Sequence, residues 1–189
     1  MKIEFIISSY KGPEKLMTML GCLQSQTVDA WTARVFADGP YYGYEKVKDF
    51  FKDDKRIRFT ELDGPHGDWG HTPRNIALGE LTEEWVVMSG HDNYYTPVFV
   101  EYFLREVKSE DVHFVYCDMI HSHNHFEYIR SVPAVNHIDI GNFMARSKYA
   151  SQIRINNRST TGDGEFVVEY LQKFPGTQIH IPKALYIHN

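Results

Sequence analysis

Two kinds of residue in this 189-residue sequence have the types and spacing to do chemistry. The first are carboxylates beside glycines: Asp38 in Ala37-Asp38-Gly39-Pro40, Asp92 in Gly90-His91-Asp92-Asn93, and Asp163 in Gly162-Asp163-Gly164-Glu165. A carboxylate can take a proton, accept hydrogen bonds or ligate a hard cation. Glycine lets the backbone come close to a bound group. The bland uses of the same residues are a turn at Asp38 and helix caps at Asp92 and Asp163. The second kind is a run of alternating histidines, His121, His123 and His125. On a strand all three would share a face and suit a transition metal, as in a zinc hydrolase. Their neighbours Ser122, Asn124 and Glu127 suit a solvated loop, which is the preferred reading.

Elements must bring such residues together. Ile3 to Ser8 is a short branched apolar run, expected as a strand buried on both faces. Gly12-Pro13-Glu14 opens a helix with Leu16, Leu20 and Leu23 on one side. Strands are expected at 34–37, 57–62 and 85–88, and helices at 44–51, 72–81 and 97–107. In the first of those helices Val47, Phe50 and Phe51 are expected to turn inward. The alternation predicts a mostly parallel sheet with helices on both faces. In open α/β sheets ligands bind at the carboxyl ends of strands. Those ends here are Ser8-Ser9, Asp38-Gly39, Asp63-Gly64 and 89–93, and all four are expected at one crevice. Further on, 113–119 and 138–146 read as strands, 164–174 as a helix, and 179–181 and 184–188 as closing strands. Residues 121–131 match no pattern.

Composition narrows the class. Apolar residues make up 42% and charged residues 24%, as in ordinary soluble domains. The net charge of −5 argues against a nucleic-acid binder. Cys22 and Cys117 form no CxxC pattern, which points to a reducing, cytoplasmic setting. No apolar run approaches the roughly 20 residues of a membrane span, and no signal-peptide pattern is seen. With no linker-like shift in composition, residues 1–189 are expected as one domain.

The order of motifs resembles the GT-A glycosyltransferase fold, and within it the inverting enzymes of family 2. Ser8-Ser9-Tyr10-Lys11 is similar to that family's Pro-Thr-Tyr-Asn after the first strand. Leu23-Gln24-Ser25-Gln26-Thr27 is similar to its Ser-Gln-Thr helix end. Val35 to Pro40 resembles Val-Val-Asp-Asp-Gly-Ser, with Ala37 at the first Asp. Pro73-Arg74-Asn75 resembles Ala-Arg-Asn. Val86 to Pro97 resembles the Asp-x-Asp segment, with Gly90 at the first Asp and Asp92 at the second. Gly162-Asp163 stands where the family has Glu-Asp.

The resemblance implies a Rossmann-like α/β domain with residues 1–93 holding a nucleotide and 94–189 the donor sugar and acceptor. It implies a metal-dependent transfer of a hexose from a UDP-sugar to a glycan, lipid-linked or small-molecule acceptor. Asp163 would be the general base, with Glu165 as its understudy. Ser8, Ser9, Tyr10, Asp38, Gly70, Arg74, His91 and Asp92 would bind the nucleotide. Asp38 would accept the uracil N3 hydrogen, which cytosine lacks. Trp69, Gly141, Asn142 and Asp163 would meet the donor sugar or acceptor, although Trp69 reads equally as a loop ring folded onto the core. Asp92 and His188 would hold Mn2+ or Mg2+, with Mn2+ favoured because it also accepts imidazole. For His188 the plain reading is a terminal strand residue. The departures at Ala37, Gly90 and Gly162 leave open a catalytically silent domain that binds a nucleotide or glycan.

Overall fold

The computed structural model describes residues 1–189. The first half alternates β1 (Ile3–Ser9), α1 (Pro13–Gln24), β2 (Trp31–Ala37), α2 (Tyr44–Phe51), β3 (Ile57–Glu61), α3 (His71–Leu78) and β4 (Trp85–Gly90). Then come β5 (Tyr94–Tyr95), α4 (Phe99–Glu106), β6 (Val112–His121), β7 (Glu127–Ile129) and β8 (Phe143–Arg146). The chain ends in α5 (Ser147–Ala150), α6 (Gly162–Lys173) and β9 (Thr177–His188). One sheet runs β3-β2-β1-β4-β8-β6-β9-β5, and β7 pairs with β6. β1, β2, β3 and β4 pair in parallel, as do β6 and β9. β8 runs antiparallel to both β4 and β6, so the expected parallel sheet is parallel in its first half and mixed in its second.

Each face of the sheet carries its own core. On one, Leu16, Leu20 and Leu23 of α1, Val47 and Phe51 of α2 and Phe99 and Phe103 of α4 cover Ile3, Phe5 and Ile7 of β1. On the other, Ala77 and Leu78 of α3 and Phe166, Val167 and Tyr170 of α6 cover Ile6, Val86 and Met88. β1 is buried along its whole length, as its branched run predicts.

Three expectations from sequence are corrected. Phe50 is 67% exposed. Helix α2 buries the stripe Tyr44, Val47 and Phe51, and Phe50 lies on its shoulder, edge-on to Phe51. The strand expected over 138–146 covers only Phe143–Arg146. Before it, Asp139 and Asn142 close a turn in which Asn142 Oδ1 accepts from the Asp139 amide at 3.2 Å. The two closing strands are one strand, β9, whose register against β6 shifts where Pro182 has no amide hydrogen to give. Residues 121–131 hold a three-residue 3-10 turn, two left-handed residues, His125 and Phe126, and strand β7.

Beneath the sheet lies one buried charge pair. Glu4 on β1 is fully buried and accepts from the Thr82 amide at 2.7 Å, and Arg34 Nε on β2 lies 2.5 Å from its other oxygen. Removing one partner of such a pair strands the other in low dielectric. Glu4→Ala should therefore cost about 3 kcal/mol, read as a lower urea midpoint. A loss below about 1 kcal/mol would show Arg34 rescued by Glu80, which lies 3.5 Å away.

Candidate functional site

At the carboxyl ends of the parallel strands is a cleft of about 580 Å³. β1 supplies Ser8, Ser9 and Tyr10, β2 supplies Asp38, and β4 leads into Gly90, His91, Asp92 and Asn93. The loop before α3 adds Trp69 and Gly70, and α3 adds His71 and Arg74. From the second half come His121, His123, Asp139, Ile140, Thr160, Asp163 and His188. Three of the four expected strand ends thus meet here. The fourth, Asp63-Gly64, stands behind the wall, where a side chain on Gly64 would collide with the Asp38 carboxylate.

The nucleotide-side candidates are close-set. Gly70 has φ +82°, and a Cβ there would strike Ser8 Oγ, so only glycine brings this loop against β1. Ser9 Oγ lies 2.7 Å from Tyr41 Oη. Arg74 is 5% exposed; it donates to the Trp69 carbonyl at 3.0 Å and leaves its Nε without a partner. Its charge therefore belongs to the cleft, not to the outer surface. Trp69 is 61% exposed with φ +58°, so its ring is not folded onto the core. His91 is held below the usual histidine range chiefly by burial, which leaves it neutral.

Helix starts sort the carboxylates. The residue before α4 is Val98 and the residue before α6 is Thr161, so neither Asp92 nor Asp163 is the cap that its sequence context allowed. Asp92 lies 3.8 Å from Lys15 Nζ at the cleft wall. Asp163 is pushed up to about 7, first by burial and then by the charge of Asp139. Arg74 and the Ile140 amide oppose that rise. Glu165 lies outside the cleft lining; it accepts from Ser159 Oγ at 2.6 Å and Thr161 Oγ1 at 2.9 Å, which hold it below its usual range. Its carboxylate ties down the start of α6.

Gly141 and Asn142 also lie outside the lining. Asn142 is fully buried, and its amide donates to the Cys117 carbonyl at 2.9 Å and Ser131 Oγ at 2.7 Å. The residues of that turn that do reach the cleft are Asp139 and Ile140. Asp139 has no counterpart among the residues expected from sequence. The available signal was its spacing to Asn142, since Asp-x-x-Asn is turn chemistry in the middle of an apolar alternation.

The alternating histidines do not share a strand face. β6 ends at His121, and His125 turns left-handed into β7, which removes the geometry of a His121-His123-His125 zinc site. His121 instead stacks on His188 at 4.0 Å between ring centres and 3° between planes. The β6–β9 register pairs the two residues directly. Ligand atoms of His121, Asp139 and His188 all lie within 4.8 Å of one another. Tyr186 Oη and the Gly141 amide donate to Asp139 Oδ1 at 2.5 and 3.0 Å, leaving Oδ2 free 3.8 Å from His188 Nε2. Ser122 Oγ lies 3.1 Å from His188 Nδ1 and can take its proton, which leaves Nε2 a lone pair. Burial holds His121 below the usual range, in the neutral form that ligates metals. Two imidazoles and a carboxylate with outer hydrogen bonds fit a divalent transition ion, and fit Mg2+ poorly. His188 belongs to this cluster; Asp92 shares the cleft but stands outside it.

No family model and no curated protein matches the sequence. Solved structures do match. The chain superposes on residues 1–349 of S. aureus TarS with TM-score 0.81 at 15% identity, covering 100% of this chain and 60% of that one. The same protein with UDP-GlcNAc gives TM-score 0.80 at 16% identity, covering 99% and 58%. The mannosyltransferase PcManGT from Pyrobaculum calidifontis, with GDP-Man and Mn2+, gives 0.78 at 12%, covering 99% and 56%. The chain thus spans less than two thirds of each of these proteins. No helix is long and apolar enough to cross a membrane. Element order, sheet and cleft together make this the GT-A fold, the Rossmann-like architecture of nucleotide-sugar glycosyltransferases.

Proposed function

We propose that this protein is an inverting glycosyltransferase moving a hexose from a UDP-sugar to an acceptor hydroxyl on a glycan, lipid-linked or small-molecule acceptor. The observation that carries the reading is the placing of Asp163. It faces the strand-end wall across one cleft, uncommitted to a helix cap, with its proton affinity raised into the working range of a base. The likeness to structures holding UDP-GlcNAc and GDP-Man supports a nucleotide-sugar donor. Two unpaired cysteines fit a cytoplasmic setting.

Residues 1–93 receive the nucleotide. Ser8, Ser9, Tyr10 and Gly70 form its floor, Asp38 accepts from the base, and Trp69 offers an open ring face for stacking. His91 and Asp92 line the diphosphate end, where Arg74 supplies a fixed positive charge. In residues 94–189, Asp163 takes the acceptor's proton as that oxygen bonds to the anomeric carbon. The bond from that carbon to the diphosphate breaks on the opposite face, so one carboxylate suffices and no covalent enzyme intermediate forms. His121, Asp139 and His188 would hold a divalent cation, with Mn2+ favoured over Mg2+ by the two imidazoles. When bound, such a cation supplies charge neutralisation on the departing diphosphate.

Asp163→Asn should lower the transfer rate by about 10²–10⁴-fold while UDP binding is kept, and near-normal turnover would remove Asp163 as the base. The same variant tests the environment of Asp163. A carboxyl raised in the fold stabilises it below the ordinary value near 4 and loses that stabilisation as pH rises through about 7. In chelator, Asp163→Asn should therefore melt above the parent protein, the gap opening between about pH 4 and 7 and level beyond. Equal melting curves at pH 8 would show that the carboxylate is well solvated. For the cation, Mn2+ alone should raise the melting temperature more than equal Mg2+, and His188→Ala should abolish that rise. A rise unchanged in His188→Ala would move the cation elsewhere.

Hydrolysis of UDP-sugars, compared with Mn2+ and with chelator, separates this reading from a silent binding domain. Turnover with no donor under either condition, alongside intact UDP binding, would favour the silent domain.

A further inference from the structure

Resting on the nucleotide reading above, we infer that His66 is the positioning residue that sets the choice of nucleobase, through its grip on Asp38. Asp38 is 4% exposed and lines the cleft, whereas His66 stands behind it on the loop after β3. His66 contacts both carboxylate oxygens. Its Nδ1 lies 2.5 Å from Oδ1, and its backbone amide donates to Oδ2 at 3.1 Å. No other basic side chain forms an ion pair with Asp38. The loop cannot retreat or be padded out. A Cβ on Gly39 would lie 2.7 Å from the Gly64 carbonyl, and one on Gly64 would strike Asp38 itself.

The consequence is chemical. With one hydrogen bond from His66 on each oxygen, the carboxylate cannot turn. Each oxygen keeps one lone pair for the cleft. That surface can only accept. It therefore matches a base edge carrying an imide N–H, as at uracil N3 or guanine N1. Cytosine N3 and adenine N1 are acceptors themselves, and lone pairs would face lone pairs. Without His66, a carboxylate set into this wall gains the freedom to rotate and so to present a different edge to the base. The two classes of base would then be distinguished far less.

The test is calorimetric titration of UDP, GDP, CDP and ADP into the parent protein, His66→Leu and His66→Asn. Leucine removes the side-chain donor, whereas the asparagine amide can stand where Nδ1 does. The parent should prefer UDP over CDP. His66→Leu should shrink that preference about tenfold or more, and His66→Asn should keep it within about threefold. Circular dichroism melts of all three confirm that folded proteins are compared, and His66→Asn carries the test if His66→Leu does not fold. A preference kept in folded His66→Leu, or one lost in His66→Asn with its fold intact, overturns the role of His66. A parent protein that binds UDP but ignores His66→Leu loses only this assignment. A parent protein that binds no nucleoside diphosphate overturns the reading of the cleft as well.

Discussion

The site depends first on the pairing of β6 with β9. These are the longest strands, and their parallel ladder ends with Met119 beside Tyr186 and His121 beside His188. Side chains alternate along a strand, so Tyr186 and His188 share a face and both point to Asp139. A slip of one residue would turn them to the other face and bring Leu185 and Ile187 in their place. The register shift near Pro182 sets the correct phase for this last stretch. It is fixed by burial on both sides of the shift, since Ile181, Leu185 and Tyr186 all sit in the core. The cation cluster is therefore not held by its own contacts. It is the end of a ladder secured elsewhere by apolar packing.

Charge is the second constraint. Asp139 is set close enough for its charge to raise the proton affinity of Asp163, and Arg74 alone among the basic residues lining the cleft opposes that rise with a fixed charge. Arg74 is itself buried with an unpartnered Nε. Such an arrangement does not serve the stability of the fold, because burying like charges and an unfilled donor costs free energy. Perturbed and unpartnered charged groups gathered in one cleft mark it as a candidate functional site. The sheet beneath tolerates it because its two apolar cores lie on either side of β1, and of their buried residues only Ile140 reaches the cleft.

The first half of the chain was legible because local and global signals agree there. Branched runs make buried strands, glycines and prolines punctuate them, and the strand-end polar residues follow from α/β topology. The second half was harder because its strands depend on partners far away in sequence. Ile138-Asp139-Ile140 looks like a strand, yet Asn142 closes it into a turn, and so Asp139 went unread. His121 was read together with His123 and His125, because only the tertiary register reveals that its neighbour is His188. Phe50 shows the same limit on a smaller scale. A helix so short presents two candidate stripes, and packing against α1 and β3, invisible in the sequence, chose the one without it.

The departures from the acidic motifs look different once the backbone is in place. A Cβ on Gly90 would lie 2.9 Å from Asp92 Oδ1 and 3.3 Å from Asn93 Nδ2. A Cβ on Gly162 would lie 2.9 Å from Ile155 and 3.0 Å from His71 Nε2. At Gly162 a side chain would meet Ile155 and the His71 ring, whereas at Gly90 it would displace only the ends of the Asp92 and Asn93 side chains. The space is taken by Asp92, by Ile155 and by the ring of His71, whose Nε2 also lies 3.2 Å from the Ser159 carbonyl on the segment before α6. Asp139 brings a carboxylate to the cleft from a different loop, and the imidazoles of His121 on β6 and His188 on β9 stand beside it. Replacing carboxylates by imidazoles keeps ligand number while lowering the negative charge that a buried site must carry without its ion. On that argument two nitrogen donors and one carboxylate form a candidate cation site that buries less negative charge than three carboxylates would.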